Sequence, residues 1–378
     1  MRSAVRCLPT PRQELARRAI VAGLGVLAAL GILLIALLAN ASLLAVTAGA
    51  EPAPERFVLR GDRVEISDLA GSVRVVAGTG TRTEVIVTRG GPDAGELRVL
   101  QDEVGGTSRL RVGFAGRTLV YPGRGRSGRT TLTVDRDGCL SAGHGLGLRR
   151  LTIKGGGLGP QAWADLEVRL PRGQKTVVRL GVGGIAARDA HGELTLDVGS
   201  ASVEAGGTSG RLDVDAGSGT VTVSSHRGDL RVDTGSGPVE ITDVAGGRLD
   251  VDTGSGRVTG SNLEADGLDV DTGSGEVRFE DLRARSIRVD TGSGGVRLDL
   301  AGAPESVLVD TGSGGVTISG PPDLGARVDL DTGSGRIEIG YPVIMTSREH
   351  GSLRGTIGDG RALIQVDTGS GGVRIAGR

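Results

Sequence analysis

Aromatic side chains are nearly missing: the 378 residues include three Phe, two Tyr and one Trp. That excludes the aromatic girdles of an outer-membrane barrel and stacked-ring sugar platforms. Cysteine is as scarce. Cys7 and Cys139 are the full complement, too few for a disulfide framework or a thiolate metal site. The four His, at 144, 191, 226 and 350, have no metal-ligand spacing and read as surface residues. Charge of one sign is absent too, because 44 Lys and Arg face 45 Asp and Glu for a formal net charge of −1. A net basic nucleic-acid binder is thereby excluded. Glycine is abundant instead, with 68 residues against ~7% in ordinary proteins.

One long apolar run exists. From Ala19 to Ala50 no residue is charged, and the heart of the run, 19–39, is Leu, Ile, Ala, Val and Gly. About 20 such residues cross a bilayer as a helix. Arg2, Arg6, Arg12, Arg17 and Arg18 precede it against Glu14 alone. The positive-inside bias therefore puts residues 1–18 in the cytoplasm and the chain beyond about residue 50 outside it. A retained single-pass anchor is favoured over a secretory signal cleaved near Ala50, because the run exceeds the 7–15 residues of a signal core. Residues 40–56 read as a linker.

An internal repeat decides the fold. Asp-Thr-Gly-Ser-Gly begins at Asp233, Asp252, Asp271, Asp290, Asp310, Asp331 and Asp367, with weaker copies at Asp197 and Asp215. The period is about 19 residues, and the step from Asp331 to Asp367 is a doubled one. Aligned on the Asp, four columns are apolar, at three and one residues before it and six and eight after it. Examples are Leu249, Val251 and Val258, or Ile287, Val289, Val296 and Leu298. Positions two apart on each flank make two short strands with one buried face each. Gly-Ser-Gly is the turn between them.

A lone unit cannot fold. Its four aliphatic side chains contribute roughly 1.5–3 kcal/mol each on burial, while ordering ~19 residues costs ~1–2 kcal/mol apiece. Stacked units can, because their columns run on and hydrogen bonds form between coils. The expected fold is all-β, a single-stranded β-solenoid of ~19-residue coils over 181–378, preceded by one transmembrane helix. Residues 57–180 lack the pentad but alternate at Val64/Ile66, Val73/Val75, Val85/Val87, Leu110/Val112 and Leu166/Val168. They read as an irregular β region capping the N-terminal end of the stack. The segment with Tyr341, Pro342, Met345, Glu349 and His350 reads as an atypical coil with a loop.

The repeated Val-Asp-Thr-Gly-Ser-Gly-x-Val, behind a span and a β region, resembles the bacterial family called "putative adhesin" (domain of unknown function 4097) over roughly residues 57–378. Gly351-Ser-Leu-Arg-Gly-Thr-Ile-Gly-Asp-Gly360 is similar to that family's C-terminal pattern. The resemblance implies an envelope β-repeat protein and brings no catalytic residues with it.

Other motifs weaken on inspection. Asp-Thr-Gly-Ser marks aspartic proteases, but those bring two such loops together on two lobes, whereas here the pentad recurs at coil spacing. The Asp of each pentad (Asp215, Asp233, Asp252, Asp271, Asp290, Asp310, Asp331, Asp367) reads as a structural turn column, its carboxylate closing an Asx-type turn. Asp250, Asp252, Asp269 and Asp271 fall on neighbouring coils and form a candidate cation cluster of oxygen ligands. Gly123 to Thr130 mimics a phosphate-binding loop, but Arg129 replaces the Lys and a strand pattern follows where a helix is required. No catalytic residue, cofactor or resident metal is indicated.

The expected function is a non-enzymatic, extracytoplasmic adhesion or binding module of the bacterial envelope, held by the membrane through 19–39. Its partner would be an envelope glycan or protein, not nucleic acid. A self-assembling scaffold is the alternative, through a C-terminal coil holding Val373 and Ile375 that the sequence leaves uncapped. A polysaccharide-acting β-helix enzyme is the minor alternative.

Overall fold

The repeat units stack as parallel coils in the computed structural model, which describes residues 53–141 and 147–378. The helix expected over 19–39 lies outside the described residues, and among the described residues no helix is long and apolar enough to cross a membrane.

Each coil runs strand, turn, strand. Before the pentad, Leu212 and Val214 are in register with Leu230 and Val232, and Leu249 and Val251 with Leu268 and Val270. After it, Val221 lies over Val239 and Val277 over Val296. Alternation sends these side chains inward, where they form one continuous core. Gly260, an exception in the apolar columns, has a packing reason. It is in register with Phe279, whose ring lies 2.7 Å from where a Cβ on Gly260 would stand.

A fifth inward column was not read from the sequence. Val244, Leu263 and Leu282 stack in register and give the coil a short third pass. The corner leading into it takes positive φ at Ser225, Asp243, Asn262 and Asp281. Short polar side chains tolerate that conformation and bond locally. The Asn262 amide, for example, donates to Asp243 Oδ1 at 2.6 Å.

The stack begins earlier than residue 181. Strand Arg63–Ala77 lies in parallel register on Gln174–Arg188 along nearly its whole length, making a full coil within the region expected to be irregular. Residues 78–141 and 147–173 lie outside the stack, and two of their strands cover that coil's outer edge. Thr107–Phe114 pairs with its first half and Trp163–Leu170 with its second. Antiparallel strands Leu97–Val104, Thr83–Gly90 and Glu55–Leu59 follow outward. A separate three-stranded sheet joins Thr118–Val120, Arg129–Val134 and Arg149–Lys154.

The other end corrects the expectation of an uncapped C-terminal coil. Ala362–Thr368 pairs in parallel with Ser306–Thr311 on one side and with Ala326–Thr332 on the other. Val373–Gly377 likewise lies between Val316–Gly320 and Ile337–Ile339. The last coil in sequence is therefore second to last in space, and Val373 and Ile375 are buried within the stack. The step from Asp331 to Asp367 is not a doubled coil. It is a hairpin, Val343–Glu349 with Ser352–Ile357, whose second strand pairs antiparallel with Ala326–Thr332. The true outer coil shows its position by burial: Ile337 and Ile339 are only partly covered, unlike their counterparts in inner coils.

Candidate functional site

Adjacent residues of a strand face opposite ways, so Asp and Thr of each pentad cannot both point out. Thr is the buried one, at 1% exposure or less for Thr253, Thr272, Thr291 and Thr311. Its hydroxyl, rather than the Asp carboxylate, closes the turn. Thr253, Thr272, Thr291 and Thr311 Oγ1 each accept the N–H of the last Gly of their own pentad at 2.9 Å. Thr368 and Thr332 also donate to the carbonyl oxygens of Gly314 and Gly371 in adjoining coils, at 3.1 and 2.9 Å. That last Gly is dictated by stacking, since a Cβ on Gly275 would lie 1.8 Å from Gly256 O. The Asx-turn reading of the Asp column is thus replaced by a Thr-closed turn. Parity alone could have found it, because the Val before each Asp points inward and the Thr after it must follow.

The carboxylates are left on the outer face. Asp197, Asp215, Asp233, Asp252, Asp271, Asp290 and Asp310 succeed one another in register from coil to coil. The ladder continues through Asp367 to Asp331, an order the chain does not follow. Successive rungs are ~4.8 Å apart. Partial burial, then the Asp197 and Asp233 charges, raise the Asp215 pKa. Partial burial and then Asp290, Asp252 and Asp269 raise that of Asp271.

Asp250, Asp252, Asp269 and Asp271 do share one surface, Asp250 in register with Asp269 and Asp252 with Asp271. Arg231 approaches Asp250 at 3.4 Å and Arg248 approaches Asp269 at 3.2 Å, supplying the counter-charge. Among the described residues no group of three or more His, Cys, Asp or Glu is placed to hold a metal. The Arg-rich loop at 122–129 leads into strand Arg129–Val134, not a helix, and Thr130 Oγ1 lies 3.3 Å from Ser200 Oγ at the turn edge.

Two buried titratable groups were missed. His226 is fully buried, not a surface residue. Its ring bridges Thr208 Oγ1, at 2.9 Å, and Asp229 O, at 3.1 Å. It occupies the fifth column, since Arg227 beside it is in register with Ala245. Burial lowers its pKa. Asp68, in the first coil, is also buried. Its Oδ1 accepts Leu69 N–H at 2.8 Å while Oδ2 has no partner, and burial raises its pKa well above the carboxylate range. Cys139 is an inert interior thiol, pushed up to about 12 chiefly by burial.

No curated protein matches the chain. Among solved structures, a "putative cell adhesion protein" from Clostridium sporogenes is 9% identical with a TM-score of 0.22, over 87% of this chain and 100% of that one. A "putative adhesin" from Parabacteroides merdae is 10% identical with a TM-score of 0.38, over 86% and 97%. The family model described as Toastrack DUF4097 matches residues 148–376. That stretch is more than half of the chain and takes in nearly all of the stacked coils, so the chain belongs to the Toastrack DUF4097 family.

Proposed function

We propose that the chain is a non-enzymatic adhesion or binding module displayed outside the cytoplasmic membrane of a bacterium, with residues 19–39 as its single-pass anchor and an envelope glycan or protein as its partner. The observation that carries this reading is the surface itself. Outward-facing Asp residues recur in register at one coil pitch along a rigid stack, with Arg231 and Arg288 in the adjoining column, which suits a ligand that repeats as well. The test is protease treatment of intact cells expressing the full chain, combined with retention of labelled chain on bacterial cells. Resistance to external protease would sink the display reading, and absence of retention would sink the adhesion reading.

Self-assembly into a scaffold is the second reading, and its edge moves. The outer coil leaves Ile337–Ile339 paired on one side only, and the hairpin beside it exposes Ile344 and Met345. Gly340 N–H turns inward to Ile375 O, so the N–H of Ile339 faces the free edge. End-to-end polymers seen by sedimentation velocity should vanish in Ile339→Pro; polymers that persist would refute this edge.

A further inference from the structure

The outer face of the second strand is interrupted over three adjoining coils by a cleft of ≈ 420 Å³. Its floor is Gly295, Gly315 and Gly372, and Arg297, Arg336 and Arg374 rim it. The order along the stack follows from the register: Arg297 over Thr317, Thr317 over Arg374, and Arg374 over Glu338.

Stacking does not require two of the three floor glycines, whereas a Cβ on Gly372 would press on Arg336 O at 3.3 Å. A Cβ on Gly295 or Gly315 would meet a single carbonyl oxygen at 3.6 Å, an ordinary contact. On the turn glycines Gly294 and Gly314, one residue earlier, it would lie 1.8 Å from a carbonyl oxygen. Equivalent positions in other coils hold Pro238, Arg257, Glu276 and Arg336. At Gly295 and Gly315 the hollow is therefore a matter of residue choice.

The arginines are also uncommitted. Arg297 stands 3.8 Å from Glu276, Arg374 3.6 Å from Glu338 and Arg336 4.0 Å from Glu338. These are charge contacts beyond hydrogen-bond length, with the three side chains 51%, 64% and 85% exposed. The next arginine in the column, Arg278, shows the contrast, since its guanidinium grips Glu280 at 2.6 and 3.0 Å. Three planar guanidiniums with unused donors thus surround the cleft, and two carboxylates, one shared with Arg257, do not balance them. Guanidinium forks match carboxylates bidentately.

We propose that this cleft binds a linear anionic polysaccharide lying along the stack, its carboxylates taken by Arg297, Arg336 and Arg374. Arg297 and Arg374 are two coils apart, ~10 Å at ~4.8 Å per coil, which suits charges on alternate sugars of an extended chain. No aromatic ring lines the cleft, so neither a neutral sugar nor an unstacked base finds a platform there, and single-stranded nucleic acid lacks its usual stacking partner. The assignment rests on the binding-module reading and names its ligand class.

The test uses the full-length chain, with polygalacturonate as probe and dextran and poly(U) as comparators. Wild type should bind polygalacturonate with an affinity that falls as salt rises, and should bind dextran not at all. R297A/R374A should weaken it at least tenfold. Gly315→Glu, which places in this coil the residue that Glu276 already places in another, should do the same with an unchanged thermal transition. Unaltered affinity in both variants, equal or tighter binding of poly(U), or no binding of polygalacturonate by wild type would each overturn the assignment. A wild-type chain that is retained on bacterial cells yet ignores polygalacturonate would overturn the cleft assignment and leave the module reading standing. Failure in both assays would remove both.

Discussion

The intercalated last coil predicts an unusual pattern of local unfolding. Strand Ala326–Thr332 pairs with Ser352–Ile357 and with Ala362–Thr368, and Ile337–Ile339 pairs with Val373–Gly377. No ladder joins the outer coil directly to Ser306–Gly320. It is tied to the stack through the C-terminal coil, which presents Ile364 and Ile375 at 0% exposure and Val366 and Val373 at 1%. Truncating a buried Ile to Ala costs about 2–5 kcal/mol. The double variant Ile364→Ala/Ile375→Ala therefore weakens the C-terminal coil by at least about 4 kcal/mol if the sites are additive. At 1.4 kcal/mol per factor of ten, that is a loss of amide protection of about a thousandfold.

In a stack whose coils contact only their neighbours, such a loss stays local. Hydrogen exchange should show Ala326–Thr332 and Ile337–Ile339 losing protection together with Ala362–Gly377, although their own sequence is untouched. Arg227–Thr234 should keep its wild-type protection. Full protection of Ala326–Ile339 beside a melted C-terminal coil would mean that the outer coil stacks directly on Ser306–Gly320, and would refute the reasoning. An equal loss at Arg227–Thr234 would refute it in the other direction, by showing one cooperative unit.

Four further outcomes are expected. His226 is neutral when folded, with a pKa below its unfolded value near 6.5; its contribution is intact above that pH and declines as pH falls towards the folded value, by at most ~1.4 kcal/mol per unit. Denaturation of His226→Gln at several pH values should lack this decline. Asp68 has the opposite sign: its folded pKa is raised, so its contribution is intact below about 4 and lost as pH rises through the folded value. Asp68→Asn should erase that loss in the same measurements. Gly260→Ala should cost about 1–3 kcal/mol by overpacking against the Phe279 ring, read as a lowered denaturation midpoint with an unchanged slope. Asp271→Asn removes like-charge repulsion from Asp290 and Asp252 and should raise the thermal transition slightly at low salt, with the gain shrinking as salt screens the ladder.

The coil itself was legible because its physics is local. A period of two on each flank of Gly-Ser-Gly places Val251 and Val258 inside whatever surrounds them, and both are fully buried. Where another coil supplies the reason, the sequence is silent. Gly260 reads as a gap until Phe279 fills it from the neighbouring coil. His226 reads as a surface residue until the fifth column, visible only from Val244, Leu263 and Leu282 together, encloses it. The first coil at Arg63–Ala77 was hidden for the same reason: it has no pentad, and its partner lies beyond a long excursion.

Stack order is the hardest case, and the repeat explains why. Coils that begin at Asp310, Asp331 and Asp367 carry the same pentad and the same inward columns, so any one of them offers much the same interface to any other. Interface chemistry therefore does not select the order, and the selection must come from features that differ between the coils. The hairpin is one such feature. Ser352–Ile357 runs antiparallel on Ala326–Thr332 and occupies the outer edge of that coil, leaving only its inner edge for Ala362–Thr368. A side-chain clamp is another. Arg378 donates to both Asp299 and Asp281, at 2.5 and 2.7 Å, and its N–H bonds Gly320 O, which holds the end of the last coil against coils far earlier in sequence. The hairpin that closes the outer edge of Ala326–Thr332 and the Arg378 clamp together favour the intercalated order, in which Ile337–Ile339 stays paired on one side only.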